Sequence, residues 1–183
     1  MGTSGSSAAG GAASLARDLL LYTLWADRLV LSFLIEVRPE DLVRDTGSSF
    51  PSVLATLAHI LGGEQLWLAR LSGQTPERIL GPADFPDRES LAAAWADTAA
   101  ELEFLLASLT EGQLHAELSW INTRGETFSC PLWQPLLQLV NHSTYHRGQV
   151  ASQLRQLGYQ APQSDLIRFL LERAAGGSGA SPA

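Results

Sequence analysis

Two of the chain's four histidines stand four residues apart in NHSTYHRGQV, residues 141–150. On a helix that spacing puts two imidazoles on one face, about 6 Å apart at Cβ, where they can share one ion. Leu139, His142, His146 and Val150 follow one another at intervals of three, four and four, so both histidines fall on or beside an apolar stripe. A third histidine, His59, lies inside TLAHILGGEQLWLARL, an otherwise apolar helical pattern. Three core-facing imidazoles have two explanations. Either they are hydrogen-bonded to neighbours within a core, or they offer three neutral nitrogens to a divalent ion and leave a position open for water or substrate. Gly62 and Gly63 follow His59, and each mid-helix glycine costs about 1 kcal/mol against alanine. Gly63 lies one turn beyond His59 on the same face. Its missing side chain makes room for an ion, a water or a substrate, or else lets two helices pack closely.

Other reactive groups are few. Glu64 is about 140° around the helix from His59 and falls with Leu57, Leu61 and Leu68, where an unpaired charge would be costly. It is expected to pair with an arginine or to orient a ligand imidazole. Arg147 is a candidate partner, an anchor for an anionic substrate, or half of a structural ion pair. His115 sits among polar residues and is expected in an exposed loop. Cys130 is the only cysteine, which rules out an intramolecular disulfide; it is expected as a small, half-buried strand residue. All 12 basic residues are arginine, which excludes Schiff-base chemistry on lysine and a phosphate-binding P-loop lysine. A net charge of −7 without a basic run argues against nucleic acid as a partner. No apolar run approaches the roughly 20 residues that span a bilayer, and the first residues, MGTSGSSAAGGAAS, lack the pattern of a signal peptide. The cytoplasm is therefore the expected location, with no membrane partner.

Four long amphipathic segments must position these residues. The first, about 12–37, carries Leu15, Leu19, Tyr22, Leu29, Phe33 and Val37 at helical spacing and is stopped by Pro39. A second runs from about 51 to 71, with Ser48 or Ser49 as its cap and Gly73 beyond its end. The third covers about 88–109 and is capped by Asp87. Residues 116–130 hold two short β-prone runs flanking Thr123, Arg124 and Gly125, which predicts a small hairpin. The fourth helix, about 131–157, starts at Pro131 and closes at Gly158. A short last helix, about 165–175, has Leu166, Ile167, Phe169 and Leu170 as its apolar side. The expected architecture is all-α: a four-helix bundle over residues 14–175, with the hairpin and the last helix as appendages. Residues 1–13 and 176–183 are expected as flexible tails.

Three pieces of the chain carry a resemblance to the DinB/YfiT-like family of metalloenzymes. LYTLWADRLV is similar to the family's Tyr-x-x-Trp-Ala-(Asn/Asp)-x-Leu opening. SFPSVLATLAHILGGEQLWLARL resembles its serine-phenylalanine start followed by histidine, glutamate and tryptophan. LVNHSTYHRGQVASQLRQLG followed by SDLIRFL is the most specific piece. The resemblance implies a four-helix bundle, usually a homodimer, in which three histidines hold a divalent ion such as nickel, zinc or iron. Matched position by position, the ligands are His59, His142 and His146. Many relatives have histidine where this chain has Tyr145 or Gln138, neither of them a ligand position. The family also implies transfer of a low-molecular-weight thiol to a small-molecule substrate, or a related hydrolysis. The competing expectation is a non-catalytic bundle that binds metal or a partner in a stress response.

Overall fold

The computed structural model describes residues 6–122 and 124–176. Its long first helix, α1, spans Ser6–Phe33, beginning earlier than the expected residue 12. Alanines around Gly10 and Gly11 extend an established helix at little cost, because propagation needs no new nucleus. The remainder of the two expected tails, residues 1–5 and 177–183, lies outside the described residues.

After a single 3₁₀ turn at Leu34–Glu36 come α2 (Pro39–Leu42) and α3 (Val53–Leu71). The cap of α3 is Ser52, whose hydroxyl accepts from the Ala55 N–H at 3.2 Å, and not Ser48 or Ser49. Gly73 follows with φ +77°, a left-handed residue that ends the helix. A second 3₁₀ turn, Pro82–Asp84, leads to α4 (Arg88–Ser108), capped by Asp87 as expected. A five-residue helix, α5 (Glu111–His115), precedes strands β1 (Glu117–Ile121) and β2 (Thr127–Pro131).

The strands pair antiparallel, with Leu118 opposite Cys130 and Trp120 opposite Phe128. Their turn is held by Asn122, whose side-chain oxygen accepts from the N–H groups of Arg124 and Glu126. Pro131 ends β2, and Leu132 N–H still bonds to Ala116 O at 2.9 Å, so α6 (Trp133–Gln156) begins two residues later than expected. Pairing to β1 wins there over early helix formation. The chain closes with α7 (Leu166–Gly176), which packs against α1. Phe169 sits against the rings of Tyr22 and Trp25, while Leu166, Ile167 and Leu170 of the same apolar side are exposed.

The structure is therefore mostly helical with one small two-stranded sheet. Helix α3 packs on α6 and α4, and α1 packs on the same two. No helix among the described residues is long and apolar enough to cross a membrane. The core falls into two apolar clusters. One is built around Leu20, Leu24, Leu102 and Leu136, the other around Val30, Leu57, Leu91 and Val150. Between the two clusters lie buried polar side chains of the four long helices, Asp27 of α1, Glu64 of α3, Thr98 of α4, and Ser143 and Arg147 of α6.

Candidate metal centre

His59, His142 and His146 meet at that level. Helices α3 and α6 run antiparallel, since Thr56 bonds Gln153 at 2.9 Å whereas Glu64 accepts from Ser143 at 2.8 Å. His59 Nε2 stands 3.0 Å from His142 Nε2 and 3.2 Å from His146 Nε2, and one nitrogen of each ring lies within 4.8 Å of the others. Nitrogens about 2.0–2.1 Å from a common ion, at tetrahedral or octahedral angles, are separated by about 2.9–3.4 Å. Both separations from His59 fall in that range.

The protonation pattern fits as well. His146 Nδ1 lies 2.7 Å from Gln149 Oε1, so Nδ1–H donates and Nε2 keeps its lone pair. A single proton on His59 Nε2 cannot point at both neighbours, whereas a cation between the rings satisfies all three nitrogens. Burial, and then the charges that His146 and His59 would carry, push the His142 pKa down to about 4. His59 moves in the same direction, through burial and then His146. Both imidazoles are thus held in the unprotonated, ligand-competent form. The three histidines could hold a metal ion.

The surroundings are specific to this arrangement. Phe50 stacks on His59 with centroids 4.2 Å apart and meets His146 edge-on at 5.4 Å. Tyr145, largely exposed, packs edge-on against His146 at 5.0 Å. The two glycines do different jobs. A Cβ on Gly63 would lie 2.7 Å from His142 Cε1, so this glycine clears the space the ring occupies. A Cβ on Gly62 would lie 2.1 Å from the Leu80 carbonyl oxygen, so this one admits the backbone between α3 and α4.

Beside the histidines is a buried polar layer. Arg147 pairs with Asp27 of α1 at 2.8 Å, both side chains 3 % exposed. The guanidinium also donates to Thr144 and lies over the Tyr22 ring. Arg147 is therefore a structural partner of Asp27, not of Glu64. Burial alone would lower its pKa, but the Asp27 charge and hydrogen bond outweigh that and leave it raised. Glu64, 1 % exposed, accepts from Ser143, the residue after His142, and touches none of the imidazoles by hydrogen bond. Its carboxyl neighbours that of Asp27, and Glu64 Oε2 and Asp27 Oδ2 are both enclosed. Burial first, and then the Asp27 charge, push the Glu64 pKa well above the ordinary carboxyl range, against the opposing Ser143 bond. Burial raises the Asp27 pKa as well, against the opposing charge and hydrogen bond of Arg147, so the two carboxyls compete for one proton that Arg147 steers towards Glu64. That leaves Arg147 and Asp27 as a neutral ion pair, with Glu64 Oε2 and Asp27 Oδ2, neither of which has another partner, as the natural ends of a shared proton.

The sequence alone assigned no role to Asp27, Gln149 or Phe50. Gln149 was recoverable, because it follows His146 by three residues on the same helix. Asp27 and Phe50 both stood in the family-like pieces, one as the Asn/Asp after Trp-Ala and the other as the phenylalanine of the serine-phenylalanine start, but no role followed from that. His115 closes α5 and is half-buried, its Nε2 enclosed without a partner among the described residues, so it is not an exposed loop histidine. It does not join the other three. Cys130 lies half-buried in β2, and burial followed by the Glu117 charge raises its thiol pKa, which disfavours a nucleophilic role.

A model of the DinB family matches residues 5–175, nearly the whole chain. The chain belongs to the DinB family. It is 28 % identical to Protein DinB of Bacillus subtilis (strain 168) over 158 residues, covering 81 % of this chain and 90 % of that protein. The crystal structure of a DinB-like protein from Bacillus cereus ATCC 10987 superposes with a TM-score of 0.56 at 17 % identity, covering 78 % of this chain and 90 % of the other. At that identity the likeness speaks for the fold of this DinB-family chain and leaves its chemistry to the site itself.

Proposed function

We propose that this DinB-family protein binds a divalent ion (nickel, zinc or iron) through His59, His142 and His146 and uses it to transfer a low-molecular-weight thiol to a small electrophile, with hydrolysis as the related variant. Convergence of three imidazole nitrogens at 3.0 and 3.2 Å, with His146 fixed by Gln149, supports the metal site most directly. Three neutral ligands leave coordination positions open, whereas closed structural zinc sites use four protein ligands. A bound divalent ion supplies charge that lowers the pKa of a thiol or water beside it.

The chain's own residues prepare the place. Phe50 shields one side of His59, Gly63 lets His142 approach α3, and Tyr145 stands at the solvent side of His146. Contacts of α1 and α3 with both α4 and α6 support a four-helix bundle as the frame. We further place the protein in the cytoplasm as a homodimer, in keeping with the apolar side chains that α7 leaves exposed. The test is elemental analysis of protein purified without metal-affinity resin, followed by conjugation assays of thiols with electrophiles. Metal-loaded protein should turn over and chelated protein should not. Bound metal with no turnover in any thiol or hydrolysis assay would make the ion structural.

A further inference from the structure

Arg70, in the last turn of α3, is only 8 % exposed and joins none of the ion pairs among the described residues. Its Nε is enclosed and has no hydrogen-bond partner. Arg147 is also buried, but its charge is met by Asp27. The contact Arg70 does make is with the face of Trp67, 4.9 Å from guanidinium carbon to ring centroid. A cation–π contact offsets only part of the cost of desolvating a guanidinium, which stays charged in any case. A guanidinium whose Nε is sealed from water without an acceptor, and whose charge meets no anion, does not serve stability, so its presence calls for another explanation.

Its position supplies one. Arg70 follows His59 by 11 residues, which at about 100° per residue returns it to within about 20° of the same helix face. The rise per residue separates the two Cα atoms by about 16 Å. Gly63, with His142 seated against it, lies between them on that face. Beside Arg70, Trp67 meets Trp120 of β1 edge-on at 5.3 Å, and Trp120 stacks on Phe128 at 5.9 Å. The face of α3 that presents His59 at one end therefore presents, at the other, a planar set of donors framed by aromatic rings. Such a fork in apolar surroundings matches a carboxylate.

We propose that Arg70 anchors a carboxylate of the substrate whose other end reacts at the three histidines. This rests on the metal-site function proposed above and narrows its substrate to elongated organic acids, with carboxylate and reacting end up to about 16 Å apart. Arg70 positions the molecule and takes no part in bond making.

The test separates the anchor from the metal. Full-length protein, as purified and after chelation, is titrated with succinate and with S-methylglutathione, which has carboxylates but no free thiol, and binding is followed by calorimetry and tryptophan fluorescence. Saturable binding is expected in both preparations, weakened at least tenfold by Arg70→Gln and lost when the carboxylates of S-methylglutathione are esterified. Arg70→Met should leave Tm unchanged or higher, because it removes a desolvated charge. Absence of saturable binding to the unaltered protein, or equal binding by Arg70→Gln, would overturn the anchor. So would a fall in Tm of more than about 5 °C in Arg70→Met, which would assign the residue to folding. Carboxylate binding without metal uptake would support the anchor and count against the metal site alone.

Discussion

Gly63→Ala is a small change that should act on metal binding and not on folding. Replacing a mid-helix glycine by alanine stabilises a helix by about 1 kcal/mol. Here the new Cβ would lie 2.7 Å from His142 Cε1 and 3.1 Å from Nδ1, against about 3.5–4.0 Å for relaxed contact. The ring must therefore retreat by roughly 1 Å. Without an ion it can do so by rotation, at about 0.5–1.5 kcal/mol, which cancels the propensity gain. Net stability in chelator should shift by less than about 1 kcal/mol. With an ion the same retreat draws Nε2 away from its place 3.0 Å from His59 Nε2, and metal affinity should fall at least tenfold, about 1.4 kcal/mol. Gly62→Ala is the control. Its Cβ would meet the backbone oxygen of Leu80 at 2.1 Å, so the connection before α4 must move at a cost of about 1–3 kcal/mol whether or not metal is present. Urea unfolding in chelator and competition titration with a zinc indicator measure the two quantities. Unchanged zinc affinity in Gly63→Ala, or a larger loss in Gly62→Ala, would refute the placement of His142.

Glu64→Ala should destabilise by about 1–3 kcal/mol because Ser143 and Asp27 lose their partner. Glu64→Gln, which mimics the protonated acid, should be far milder. Because the folded-state pKa of Glu64 is raised, its contribution is full below the ordinary glutamate pKa and is lost as pH climbs towards the folded value. Glu64→Gln should therefore gain on the unaltered protein by at least about 1 kcal/mol between pH 5 and 8 in urea melts, and a constant difference would mean that the acid is ionised in the fold. Gln149→Leu, which removes the acceptor for His146 Nδ1–H, should weaken metal binding about 10–100-fold with little change in stability. Equal affinity by indicator titration would show that Gln149 does not orient the ring. Light scattering at high micromolar concentration should give twice the 19.7 kDa chain mass, and a stable monomer would contradict the homodimer.

The sequence made the histidines legible for a physical reason: each lies on a helix face whose apolar neighbours repeat with the helical period. His59, His142 and His146 needed only the pairing of α3 with α6 to meet. Local chemistry was readable in the same way, as with Asp87 capping α4 and Gly73 ending α3. Partners supplied by a different helix were not. Asp27 meets Arg147 across 120 positions of sequence, and Glu64 meets Ser143 across 79, so no periodicity within one helix could assign either bond. The cap of α3 was ambiguous because three serines surround Pro51, and only backbone conformation selects Ser52. On α7 the apolar pattern was correct, but the pattern alone does not say how much of a face a neighbour will cover. In this chain only Phe169 is covered.

The central claim is that His59, from one helix, completes a metal site with His142 and His146, from another. Metal content per chain, measured by elemental analysis on the unaltered protein and on His59→Ala, His142→Ala, His146→Ala and His115→Ala, tests it directly, with Tm recorded with and without added Zn²⁺ or Ni²⁺. The expected result is about one ion per chain and a metal-dependent rise in Tm for the unaltered protein and His115→Ala, with both lost in each of the other three variants. Full metal content in His59→Ala, or no metal and no gain in Tm in the unaltered protein, would contradict it.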